Sequence, residues 1–111
     1  MQNNKIAELN DKLRQNIFTP MEYGTIIITN GVSILPIQEQ IIIMNLVKNF
    51  NSFTAGNDPY GEHDFGKVSL NGIDYFFKID YYDNDLTYSS ENPSDDSITK
   101  RVLTIMRADE Y

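Results

Sequence analysis

Polar and apolar residues follow two different periods along this chain. In residues 3 to 16, NNKIAELNDKLRQN, the apolar positions Ile6, Leu9 and Leu13 recur at i, i+3 and i+7 with charges between them. That spacing predicts a helix with one narrow apolar stripe, lying on a surface. FTPMEYG breaks the pattern through Pro20 and Gly24. Residues 25 to 29, TIIIT, are a β-branched run of strand type, and Asn30-Gly31 ends it with turn chemistry. A second helix is predicted in PIQEQIIIMNLVKNF, with Pro36 suited to a first helical position. Ile37, Ile41, Met44 and Val47 share a face there, and Ile42, Ile43 and Leu46 widen it. This helix is therefore expected to be the more buried of the two. Residues 51 to 65 read as a loop rich in Asn, Gly, Asp and Pro, and loops of that length are often functional.

The period then changes to two. In GKVSLNGIDYFFKIDYYD, Asn71-Gly72 stands between alternating runs, a strong hairpin signature because Asn-Gly supplies the positive φ angles of a type I′ turn. A two-residue loop pairs Leu70 with Ile73 and Val68 with Tyr75. One face then carries Val68, Leu70, Ile73, Tyr75, Phe77, Ile79 and Tyr81 as core. The other carries Lys67, Ser69, Asp74, Phe76, Lys78, Asp80 and Tyr82, a half-polar surface. Residues 84 to 100 read as an acidic surface excursion with a short extended piece at 86 to 88. RVLTIM, residues 101 to 106, suits an inner strand covered on both faces. These elements predict an α+β fold: two helices packed on a mostly antiparallel sheet of about four strands around a central Asn-Gly hairpin. With 111 residues, one domain spanning 1–111 is expected.

Charge sharpens the picture. The chain has a formal net charge of −7. From Asp58 to Asp96 ten acids face only Lys67 and Lys78, giving −8; six acids and seven bases elsewhere give +1. Direct nucleic-acid binding is disfavoured, because it needs a basic footprint. A protein partner with a basic surface would be attracted. With no cysteine, disulfides and thiolate metal sites are excluded, and a reducing, cytoplasmic setting fits. No signal core or membrane span is read from the pattern, and no membrane partner is expected. The sequence sets no oligomeric state and calls for no cofactor.

The candidate chemistry lies in NDPYGEHDFG, which holds the chain's one histidine. His63 with Glu62, Asp64 and Asp80 could form an acid–base centre, since imidazole beside carboxylates titrates near working pH. Oxygen ligands around one imidazole also suit a metal such as Mn, Fe or Zn, although no ligand spacing here matches a known cage. The structural alternative makes Asp58 and Asp64 loop caps and His63 a hydrogen-bonded bridge, with Lys78 or Arg101 pairing Asp80 or Asp64. The docking candidates are Asp74, Asp80, Tyr82, Asp83, Asp85 and Glu91, acids interleaved with rings of the kind that anchor interfaces.

Three ordered blocks, DPYGEHDFG, KIDYYD and RVLTIM followed by EY at the end, resemble a domain-of-unknown-function family of small proteins from alphaproteobacterial genomes, plasmids and phages. The shared positions include Asn57, Asp58, Pro59, Tyr60, Gly61, Glu62, His63, Asp64, Phe65, Gly66, Lys78, Asp80, Tyr81, Tyr82, Asp83, Arg101 and Glu110. The resemblance implies that these charged residues form one polar cluster, either a network holding the fold or a working surface. Its mobile-element context implies, by analogy, a role against host defences.

Overall fold

The computed structural model describes residues 2–111. Helix α1 covers Gln2–Gln15, strand β1 Thr25–Ile28, helix α2 Asn30–Ser33 and helix α3 Ile37–Lys48. Strands β2 (Phe65–Leu70), β3 (Ile73–Tyr82) and β4 (Lys100–Arg107) follow, with 3₁₀ turns at Asp96–Ile98 and Ala108–Glu110. The fold is α+β, as the periodicity predicts. One sheet has the order β1-β4-β3-β2, antiparallel except for the edge pair β1–β4.

The Asn-Gly hairpin forms in the register expected from the turn, Leu70 opposite Ile73 and Val68 opposite Tyr75, with Asn71 and Gly72 both at positive φ. This register sends Val68, Tyr75, Phe77 and Ile79 inward, where they meet Leu103 and Ile105 of β4 beneath Leu13, Ile17, Ile43 and Val47. Both long helices therefore cover the same face of the sheet. On the opposite face Phe65 and Phe76 pack with Tyr111, their ring centroids 5.0 and 5.6 Å apart.

Five expectations change. The more buried long helix is α1, not α3: Ile6, Ala7, Asn10, Leu13 and Arg14 are buried on α1, against Ile43 and Val47 on α3. The stripe on α1 is broad because Asn10 and Arg14 fill it with hydrogen-bonded polar atoms. Ile37, Ile41, Ile42 and Leu46 of α3 stay exposed. Asn30 and Gly31 open the short helix α2 rather than a simple turn, and Pro36 caps α3 instead of entering it. Strand β4 is central, but only one of its faces is covered by helices: Val102 and Thr104 on the other are half-buried. Residues 86 to 88 form a bend rather than an extended piece, with Leu86 at φ 57.

The C-terminal end is clamped by Glu110. Its carboxylate accepts from the Thr29 hydroxyl (2.6 Å) and from the backbone N–H groups of Gly31 (2.9 Å) and Arg107 (2.7 Å), which hold its pKa below the usual carboxylate range. Among the described residues no helix is long and apolar enough to cross a membrane.

Candidate functional site

The stretch NDPYGEHDFG is a loop folded on its own polar atoms. The Asp58 carboxylate accepts the backbone N–H groups of Glu62 (3.0 Å) and His63 (3.2 Å), and Gly61 N–H donates to Asp58 O. Gly61 and His63 take the left-handed conformation (φ 66 and 57) that closes this turn. Glycine adopts it freely; histidine does so at a cost that surrounding contacts must offset. Asn57 ties the approach through Thr54 N–H and Ser52 O. Pro59 and Tyr60 protrude, exposed.

Beneath this loop lies a buried network that joins four separate parts of the chain, α1, the loop, β3 and β4. Tyr81 OH donates to Glu62 Oε1 (2.7 Å) and accepts from Asn10 Nδ2 (2.8 Å), which also reaches Glu62 O. Arg101 Nε donates to Asn10 Oδ1 (2.9 Å), and its guanidinium also meets Pro93 O and Asp96. Asn10 is 0% and Arg101 2% exposed. Burial, then the bond to Glu62, pushes the Tyr81 pKa up, and burial pulls that of Arg101 down. Every member has partners, and a satisfied network of this kind specifies one packing.

His63 is held beside the network. Its Nδ1 lies 3.0 Å from Asp11 Oδ1, its Nε2 faces Asp58 Oδ2 at 3.8 Å, and its ring stacks on Phe53 at 4.1 Å. Asp11 is shared with Arg14 Nη2 (2.8 Å). Arg14 Nη1 in turn donates to the carbonyls of Val47, Lys48 and Phe50, satisfying the open end of α3. A cleft of about 570 Å³ opens here, bordered by Asp11, Arg14, Lys48, Phe53 and His63.

The acid–base set expected from the sequence is not assembled. The carboxylate contacts of His63 come from Asp11 and Asp58, because α1 and the Asp58 turn flank its ring. Glu62 turns its side chain to Tyr81, and Asp64 and Asp80 line a different cavity of about 460 Å³ with Tyr82 and Ser89. Burial raises the Asp64 pKa, and the neighbouring carboxylates Glu62, Asp58 and Asp80 add to it. Because the native pKa lies above the unfolded one, stability falls as pH rises through that window. Asp64→Asn is therefore expected to raise the melting temperature at neutral pH, with the gain vanishing in acid; thermal melts across pH check it.

Of the docking candidates, Asp80 is ion-paired to Lys78 (2.9 Å), a bond that raises the lysine's pKa. Asp80 and Tyr82 do share the open face of the sheet with Lys78, half-exposed. Asp74 is exposed and accepts from the Ser69 hydroxyl, while Asp83 caps Thr87 N–H. Asp85 and Glu91 are exposed and make no side-chain hydrogen bond or ion pair among the described residues. Free negative charge thus lies beyond the end of β3 more than along it. Among the described residues no group of three or more His, Asp or Glu side chains is disposed to hold a metal.

Asn10, Asp11, Arg14 and Phe53 were not singled out from the sequence. The signal for two of them was present: Asn10 and Arg14 fall at i+4 and i+8 from Ile6, on the stripe with Leu13, where a polar residue needs a buried partner.

Fold and site together define a small α+β protein built around a buried Arg–Asn–Tyr–Glu network. The family model described as "Protein of unknown function (DUF3768)" matches residues 28–110, and the chain belongs to that family. The matched span includes the 57–66 loop, Tyr81, Arg101 and Glu110; Asn10, Asp11 and Arg14 precede it. No curated protein and no solved structure matches the chain.

Proposed function

We propose that the protein is an acidic interaction module that docks on a basic surface of another protein, with residues 83 to 98 as its working segment. The observation that carries this reading is the apolar tip of that segment. Leu86 is 58% and Tyr88 75% exposed, in a stretch with five acids and no Lys or Arg. Leu86 is also held at φ 57, a conformation unusual for a bulky side chain and one that costs stability. A shallow cavity of about 410 Å³ beside Tyr88, bordered by Asp83, Glu91 and Ile98, offers carboxylates and an apolar wall to a partner's Lys or Arg stem. Charge would steer the encounter, and Tyr88 and Leu86 would anchor it.

In the setting that the family resemblance implies, a phage or other mobile element acting in a host cytoplasm, the partner is a host defence protein. The acidic segment occupies its nucleic-acid-binding groove as a DNA mimic. Asp85→Lys combined with Glu91→Lys is expected to abolish capture of the partner from host lysate, and added salt to release it from the wild type. Capture that ignores both charge reversal and salt sinks the reading.

A second reading, an acid–base or metal-dependent enzyme centred on His63, is supported by the Asp11–Nδ1 contact at the edge of the 570 Å³ cleft. It is weakened by the other ring nitrogen, which faces the buried Asp58 carboxylate rather than being free for a substrate.

A further inference from the structure

We infer that the cleft between α1 and the end of α3 binds a small anion bearing a carboxylate or phosphate group. It concerns residues that the docking reading does not use. In a chain of net charge −7, this cleft carries two fixed cations, Arg14 and Lys48, against one acid, Asp11, with the titratable His63 at its wall. Asp11 is paired with Arg14 at 2.8 Å and its other contact is His63 Nδ1 at 3.0 Å, so the positive charge left for an anion is that of Lys48. The carbonyls ending α3 would repel an anion, but Arg14 Nη1 covers two of them, Val47 O and Lys48 O, and Phe50 O just beyond.

Lys48 remains without an ion-pair or hydrogen-bond partner for its ammonium among the described residues, at the border of the cleft. Arg14 is 3% exposed, and its Nε has no hydrogen-bond partner in the described structure. Gln15, Asn49 and Asn51 add amide donors, and Phe50 and Phe53 an apolar wall. A concavity of about 570 Å³ has the size of small-molecule sites, and its mostly polar lining suits a charged ligand rather than an apolar one.

The test is titration of the full chain with inorganic phosphate and, separately, with acetate, followed by backbone amide shifts. At least one anion is expected to give saturable shifts at Asn49, Phe50 and Asn51, and the stronger of the two identifies the group preferred. Lys48→Gln removes a charge that makes no ion pair or hydrogen bond among the described residues. It should weaken that binding about tenfold, the loss of one charge-assisted hydrogen bond, while Lys100→Gln leaves it unchanged. No saturable shift with either anion overturns the inference. So does affinity unaltered by Lys48→Gln, or lost equally in Lys100→Gln, which would mark a diffuse charge effect.

Discussion

Arg101→Leu is expected to lower folding stability by about 2–4 kcal/mol, read from denaturant unfolding at an unchanged slope. The leucine fills the space of the arginine stem but not that of the buried guanidinium over Tyr81, so a void adds to the loss. The rest of the cost arises because Asn10 Oδ1, fully buried, loses its donor, and Pro93 O loses another. An unsatisfied buried acceptor costs its full desolvation, whereas the exposed partner Asp96 is simply rehydrated. The double variant Asn10→Leu/Arg101→Leu should therefore cost less than the sum of the single changes, since two orphaned groups disappear together. Additive costs would mean that the bond between them contributes nothing.

Gly66→Ala is the second large effect, about 2–3 kcal/mol by the same measurement. Gly66 sits on β2 opposite Phe77. A methyl group there would overlap the edge of the Phe77 ring and lie 2.9 Å from Phe50 Cε2. Phe50 and Phe77 pack edge to face at 5.4 Å, and Phe77 is fully buried, so the Phe77 ring cannot swing into free space. Backbone freedom is not at issue, because Gly66 is not among the positive-φ residues. The glycine of DFG is thus explained by close packing. A Gly66→Ala variant of wild-type stability would show that the aromatic layer is softer than its geometry indicates.

Much of the fold was legible because local chemistry and tertiary packing agree. Asn71-Gly72 set the hairpin register, and that register decided which side chains of β2 and β3 face inward. The reading of α1 and α3 failed where polarity and burial part company. Asn10 and Arg14 look like solvent residues in a helix, yet they are the most engaged side chains on α1, while the isoleucines of α3 stay partly outside. The parallel pairing of β1 with β4 depends on a chain return of over 70 residues, which no local pattern encodes.

The candidate site was legible in content and not in connection. NDPYGEHDFG stood out, and its polar residues do cluster with Tyr81 and Arg101. However, His63 finds Asp11 at 52 residues' separation and Arg101 finds Asn10 at 91, distances over which spacing carries no information. The sequence suggests Lys78 and Arg101 as partners of Asp80 or Asp64 across neighbouring strands; Lys78 instead takes up Asp80 along its own strand face, and Arg101 meets Asp96. The Lys78–Asp80 pairing moves the free acid charge from β3 to the segment after it.

On the docking reading the 57–64 loop, Tyr81 and Arg101 hold the fold, and residues 83 to 98 bind. Amide hydrogen exchange of the protein alone and in complex with its captured partner tests that division most directly. Added protection is expected at residues 83 to 92, around Leu86 and Tyr88, with the 57–64 loop unchanged. Protection concentrated at Asp11, Phe53 and His63, with the acidic segment exchanging as in the free protein, would contradict it.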